Sequence, residues 1–357
     1  MTKTPSAAVS SASQPVTLRQ IAVRAKASVM TVSRALGNRA RVAASTRERV
    51  LRIAEALGYR PDPEINKLMH HLRSQRRRRF QSVICGLSTR TAEMDEPYFL
   101  AVVAGAKRQA ESRGYGFMLM RIESDPVRWA GLHRSLRARG VQGVLLLPQR
   151  EPIDLRGLLD WREFSVVAAT SSVLAPEVNS VTPHHFANAL LLCRQLAGLG
   201  YRRPGLVINT EHDRRVEHLF DAAFTWHGAR EVPERVPPLL CDAISRQRLI
   251  AWWRRERPDV LVATEEGLLP KYARWLGPKA RDSVGLASTN VRGLGELEPT
   301  GIDERPAEIG AAAVNLLASM IERRERGLPV SPTTTLLPGI WCPGRTLRMR
   351  PPAWLSS

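Results

Sequence analysis

The chain has 357 residues, 43% of them hydrophobic, with 53 Lys and Arg against 34 Asp and Glu. That length allows two or three domains with sizeable cores, and the absence of any run of about 18 apolar residues excludes a membrane-spanning helix. A formal net charge of +19 points to an anionic partner. The excess is concentrated: residues 1–80 hold 17 basic and 4 acidic side chains, the remainder 36 and 30. Residues 1–15, rich in Ser, Ala and Thr, lack the apolar stretch of a secretory signal and read as a disordered leading segment. The chain is therefore expected to be cytoplasmic and, given its basic end, nucleoid-associated. Cys85, Cys193, Cys241 and Cys342 are far apart in sequence, which predicts free, mostly buried thiols and no metal site.

The first helix is predicted from Leu18, with Thr17 as its cap and Gln20 closing a capping box. Leu18, Ile21, Ala22 and Ala25 share one face of it. After Lys26-Ala27, Ser28 can cap a second helix over Val29–Leu36, and Gly37-Asn38 ends it. A third helix is expected from Ala44 or Thr46 to Leu57, with Val50, Ile53, Ala54 and Leu57 as its apolar set and Gly58 as its stop. Three short helices with a tight first turn describe a helix-turn-helix over residues 16–61. The outer face of the second helix carries Val29, Met30, Ser33 and Arg34. Arg34 suits guanine O6 and N7, and Val29 and Met30 suit apolar groove edges. The hydroxyls of Thr17, Ser28, Thr31 and Thr46 stand near helix starts, where phosphates are favoured.

Val16 through Leu36, followed by Thr46 to Pro63, closely resembles the DNA-binding headpiece of the LacI/GalR (lactose-repressor/galactose-repressor) family. The resemblance implies a homodimer on a palindromic double-stranded operator and adds Leu18, Tyr59 and Ile65 to the DNA-facing set. Two positions depart from the family pattern. Lys26 stands where glycine is usual, and Ala43 stands where a serine cap is usual, so Ser45 or Thr46 is left to cap the third helix.

Asp62-Pro63 is a helix start, opening a hinge helix and basic linker over 62–79. A helix of about ten residues is marginal alone. The resemblance implies that it folds on the operator, with Leu68, flanked by Met69, as a minor-groove wedge; a plain linker helix with a buried leucine is the other reading. Arg76 to Arg79 form either a phosphate clamp or a solvated linker.

From Phe80 the pattern alternates strand and helix. Strands are expected over 82–87, 117–122, 141–147, 164–169, 204–209, 259–263 and 283–287. Helices are expected over 98–114, 129–140, 188–199, 216–226 and 244–256. Such alternation predicts an α/β domain over 80–350 built of two doubly wound parallel-sheet subdomains with a cleft between them, followed by a tail over 351–357. Pro97-Tyr98-Phe99, Arg139 to Val144, Leu199 to Gly205, Ala307 to Ala313 and Gly339 to Leu347 resemble the family's periplasmic-binding-protein-like effector domain. That resemblance divides it into subdomains of about 80–182 with 303–333 and 183–302 with 334–350.

It also implies a small-molecule effector, sugar-like or of another kind, near Tyr98, Phe99, His184, Arg214, Glu265 and Ala287. His184 and Ala287 occupy positions where the family usually has Asp, and Phe220 one where it has Arg, which argues for an effector unlike the usual sugars. Tyr98 and Phe99 equally suit a packed wall, and Arg214 a surface ion pair. The sequence contains no G-x-S-x-G, no P-loop and no H-E-x-x-H. An enzyme or an exported solute-binding protein on the same fold is thus the weaker alternative, and no cofactor or metal is expected. The reading is a DNA-binding transcriptional regulator whose effector tunes operator affinity.

Overall fold

A computed structural model describes residues 18–36, 42–57, 82–90, 96–123, 125–149, 151–231, 235–265, 267–277, 283–292 and 298–349. The leading segment, the hinge and linker, and the tail lie outside them. The chain divides into two compact units, Met1–Arg79 and Phe80–Ser357.

The first unit holds helices α1 (Leu18–Ala25), α2 (Val29–Leu36) and α3 (Ala44–Ala56). Ile21, Ala22 and Ala25 of α1 meet Val32 and Ala35 of α2 and Val50 and Ala54 of α3 in one small core, with Ile53 and Leu57 packed against it. The turn between α1 and α2 is closed by two backbone bonds: Ala27 N–H donates to the Ala22 carbonyl (3.0 Å) and Lys26 N–H to the Val23 carbonyl (3.3 Å). This is the Schellman arrangement, whose residue after the cap must be left-handed, and Lys26 has φ of 47° there. Ser28 caps α2 as expected, its Oγ accepting from Thr31 N–H at 3.0 Å. The α3 cap differs from expectation: Ala43 occupies the position and no side chain bonds to the first turn.

The second unit contains, among the described residues, two six-stranded sheets and a two-stranded ribbon. In chain order the strands are β1 (Val83–Ser88), β2 (Gly116–Arg121), β3 (Val141–Leu146), β4 (Ile153–Asp154), β5 (Ser165–Ala168), β6 (Val173–Ala175), β7 (Asn179–Pro183), β8 (Pro204–Asn209), β9 (Leu239–Cys241), β10 (Val260–Ala263), β11 (Gly285–Ser288), β12 (Thr300–Asp303), β13 (Thr334–Leu337) and β14 (Ile340–Cys342). The first sheet runs β13-β7-β5-β3-β1-β2 and is parallel throughout. The second runs β14-β12-β11-β10-β8-β9, with only the β12–β14 edge antiparallel.

The helices are α4 (Pro97–Ser112), α5 (Leu132–Ala138), α6 (His185–Gly198), α7 (Thr210–Arg215), α8 (Leu219–Glu231), α9 (Arg246–Glu256), α10 (Leu268–Leu276) and α11 (Pro306–Arg323). Helices α4 and α11 cover one face of the first sheet through Phe99, Val102, Ile309 and Leu317, while Leu136, Trp129 and Trp161 cover the other. Helices α6 and α8 pack on one face of the second sheet, α9 and α10 on the other. Both faces of each sheet are therefore buried, as parallel strands of Val, Ile and Leu require.

The chain passes between the sheets after β7, after β12 and after β13. The last passage was expected near residue 334, but Thr334–Leu337 pairs in parallel with Ser180–Pro183, so the crossing falls between Leu337 and Ile340. The helix expected over 216–226 is instead interrupted, because Glu217 and His218 have φ of 54° and 61° between α7 and α8.

Candidate functional site: an inter-sheet cavity and a basic helical unit

Every strand that ends at the cleft hands the next few residues to a common cavity of about 500 Å³. Arg90 follows β1, Gln149 follows β3 and Thr170 follows β5. His212 follows β8, Glu265 follows β10 and Asn290 follows β11. The cavity thus lies beyond the carboxyl ends of both sheets. In each, the strand order reverses at a point that faces it: between β1 and β3, and between β8 and β10. Its size is that of a pocket for a small organic ligand.

Gln149 organises the first-sheet wall. Its Oε1 accepts Thr89 N–H (2.8 Å), its Nε2 donates to the Leu87 and Leu147 carbonyls (3.2 and 2.5 Å), and its own N–H donates to Ser172 Oγ (2.8 Å). One buried residue, through its side-chain amide and its own N–H, therefore ties together the ends of β1, β3 and β5. Arg90 pairs with the Glu96 carboxylate, and its Nε donates to the Gln149 carbonyl at 3.1 Å.

The crossings are stitched to one another beside this cavity. His184 N–H donates to the Leu337 carbonyl (2.8 Å), and Gly339 N–H donates to Asn188 Oδ1 (2.7 Å). His185 Nδ1 lies 3.2 Å from Glu304 Oε1, joining the first crossing to the second.

On the second-sheet side, the Phe220 ring meets the His185 and His212 rings edge-on, with centroids 5.2 and 5.9 Å away. Burial, reinforced by the Arg215 charge, pushes His212 down to about 3, so its imidazole is neutral near pH 7. Burial raises the Glu265 carboxyl, partly opposed by hydrogen bonding with Asn209 and by Arg215. Glu265 Oε1 and His212 Nδ1 are both buried without a hydrogen-bond partner.

Of the effector residues expected from sequence, Tyr98, Phe99 and Glu265 line the cavity. Phe99 is also buried in the first-sheet core, the packed wall that its sequence equally suits. The other three are corrected. His184 caps α6, its Nδ1 accepting from Ala187 N–H at 3.3 Å, and the cavity is lined by His185. Arg214 is exposed, and Arg215 faces the cavity. Ala287 is buried within β11 between Val262 and Thr300, and the residues that reach the cavity are Thr289 and Asn290 beyond the strand end. Gln149, His212 and Glu304 escaped the sequence reading, although each directly follows an apolar strand or its first turn.

In the helical unit, α2 turns Val32 and Ala35 to the core. At roughly 100° per residue, positions 30, 33 and 34 fall on the arc away from it. The side chains of Leu18, Val29, Met30, Ser33 and Arg34 lie outside the described part of the structure, as do Thr17, Tyr59, Ile65, Leu68 and Met69 altogether. Ser28 is exposed, Thr31 and Thr46 are half-buried, and the Ser28 and Thr31 hydroxyls lie 2.8 Å apart.

Among the described residues no cluster of three or more His, Cys, Asp or Glu could hold a metal, and no helix is long and apolar enough to cross a membrane. All four cysteines are free; Cys85 and Cys193 are buried, but Cys241 and Cys342 are partly exposed, so burial is less general than expected. Burial pushes the Cys85 thiol up to about 12.

Residues 17–62 match the model of bacterial regulatory proteins of the lacI family. Residues 86–267, half of the chain, match the model of periplasmic binding proteins and sugar binding domain of the LacI family. The maltose regulon regulatory protein MalI of Escherichia coli (strain K12) is 27% identical over 189 residues, covering 53% of this chain and 52% of that protein. The HTH-type transcriptional repressor PurR of Mannheimia succiniciproducens is 26% identical over 190 residues, covering 53% and 54%. The chain thus spans about half the length of these curated relatives. The transcriptional regulator CelR in complex with cellobiose shares the fold with a TM-score of 0.56 at 19% identity, covering 93% of this chain and 99% of that one. The lac repressor dimer bound to operator and the anti-inducer ONPF does so with 0.55 at 18% identity and the same coverage. A helix-turn-helix unit followed by two parallel sheets around a cavity, matched by both models, makes this chain a member of the LacI family of bacterial regulatory proteins.

Proposed function

We propose that the protein is a cytoplasmic transcriptional repressor that binds a palindromic operator as a homodimer and loses or gains affinity when a small molecule occupies the inter-sheet cavity. The observation that carries this reading is the conjunction, on one chain, of a basic helix-turn-helix whose second helix turns Val32 and Ala35 to its core and a cavity walled by two sheets. Relatives named as repressors, and a solved relative described as a dimer on its operator, support it. In this reading α2 enters the major groove with Arg34 on a guanine, Val29 and Met30 on groove edges, and Ser33 beside them. Thr17, Leu18, Ser28, Thr31, Thr46 and Tyr59 meet the backbone, and Ile65, Leu68 and Met69 belong to a hinge over 62–79 that reaches the minor groove. The first turn of α3, which no side chain caps, offers further N–H groups to a phosphate.

A ligand touching both walls favours one angle between the sheets over another and shifts operator affinity by its differential affinity for the two, typically about 1–3 kcal/mol. The test is operator selection from random duplex, followed by anisotropy titration of the selected site. Arg34→Ala should cost about 1–3 kcal/mol on that site and relax preference at one base pair. An equal loss on every duplex would remove Arg34 from base reading, and no preference for any palindrome would refute the function.

A further inference from the structure

The polar groups around the cavity are not all spoken for. Arg90 is held by Glu96 and the Gln149 carbonyl, Glu304 faces His185, and the Gln149 amide is fully used. Three groups on the second-sheet side are left over. Arg215 makes no ion pair and no hydrogen bond among the described residues, and Glu265 Oε1 and His212 Nδ1 are buried without partners. Buried polar atoms in native proteins are nearly always satisfied, so Glu265 Oε1 and His212 Nδ1 mark where a ligand's own polar groups belong. Phe220, which also lines the cavity, makes edge contacts with both imidazoles.

We infer that the ligand of this cavity is a small hydroxylated carboxylic acid, its carboxylate on Arg215, a hydroxyl donating to Glu265 Oε1 and its carbon face on Phe220. The inference rests on the cavity being the effector site proposed above. Charge decides between ligand classes. Arg215, whose charge already acts on Glu265 and His212, has no ion pair among the described residues, and a guanidinium fork matches a planar carboxylate. A cationic ligand would meet it with like charge. A phosphate dianion would bring two charges to Arg215 within a cavity that also holds Glu96, Glu265 and Glu304. His212 stays neutral, so it adds no second positive charge and can donate or accept at Nδ1. Thr170, Ser171 and Thr289 line the remaining wall, which suits hydroxyls rather than a purely apolar acid.

The test is calorimetric titration of the full chain with D-gluconate and D-galacturonate, each beside its neutral parent sugar, with D-glucose 6-phosphate and L-serine as phosphorylated and zwitterionic comparators. A hydroxy acid should bind about ten- to a hundredfold tighter than its neutral parent, the range expected for one charge-assisted contact. Arg215→Gln should bring the two within about twofold while the circular dichroism of the chain stays the same, and Arg215→Lys should keep part of the preference. The assignment is overturned if neither acid binds, if a neutral sugar, the phosphate or the amino acid binds tighter, or if Arg215→Gln retains the preference. A neutral sugar that changes operator affinity would sink the acid assignment and leave the repressor reading standing. Absence of any sequence preference for DNA would sink the repressor reading alone.

Discussion

Replacing Lys26 by glycine should stabilise the helical unit. Lys26 closes α1 in the left-handed region, φ 47°, where a Cβ crowds the following carbonyl at a cost of about 1–2 kcal/mol. Glycine escapes that cost but gives the unfolded chain more freedom, which takes back about 0.5–1 kcal/mol. Lys26 is exposed and belongs to no core contact, so nothing else is lost. The net gain is about 0.5–1 kcal/mol, a factor of roughly two to five in the opening equilibrium. Amide hydrogen exchange of the full chain, read by mass spectrometry in peptides covering 18–36, measures this directly. Lys26→Gly should slow exchange by that factor, whereas Lys26→Ala, which keeps the Cβ, should stay within about twofold of the parent. Equal protection in the glycine and alanine variants, or faster exchange in the glycine variant, would refute the argument. Operator affinity, measured separately, would register any loss of the lysine's charge.

Gly310→Ala should destabilise the larger unit by about 1–3 kcal/mol, read as a lower urea midpoint at constant m, because the added Cβ would stand 2.1 Å from the Val102 carbonyl oxygen across the α4–α11 contact; an unchanged midpoint would show that the helices can part freely. His212 supplies a pH prediction. Its folded value near 3 lies below the ordinary 6.5, so its contribution is present above about pH 6.5 and is lost as pH falls from there toward 3. His212→Gln should therefore flatten the acid side of the stability curve by up to about 1.4 kcal/mol per pH unit, and a slope identical to the parent's would mean that the imidazole charges without resistance in the folded chain. Leu68→Ala should weaken binding to the selected operator, and lessen its bending, without moving the thermal transition; unchanged affinity and bending would return Leu68 to a linker role.

The helical unit was readable from sequence because its signals are local. A cap at Ser28 and apolar spacing through Val50 and Ala54 act within one or two turns of chain. The central strands were legible for a related reason: a strand buried on both faces must be a continuous apolar run. Strands β13 and β14 carry little such signal, since their partners lie some 150 and 40 residues back, and only pairing fixes to which sheet each belongs. Helix α10, not among the expected elements, carries Pro270 in its first turn, where proline is tolerated.

The cavity shows a finer limit. The expected positions fell one residue short at His184 and Arg214 and two or three short at Ala287. A residue inside a strand points at a packed layer, as Ala287 does, and only those past its last ladder bond can turn toward the cleft. Where a helix follows, its phase then selects the side chain. His184 is consumed by capping α6, which leaves His185 to face Glu304. Buried Asp213 accepts from the His218 imidazole at 2.6 Å, which fixes the roll of α7 so that Arg215 rather than Arg214 turns inward. Resemblance carries the edge on which a ligand site is built. Which residue looks into it is set by how each strand stops and how the next helix is rolled, and that depends on partners the local sequence does not name.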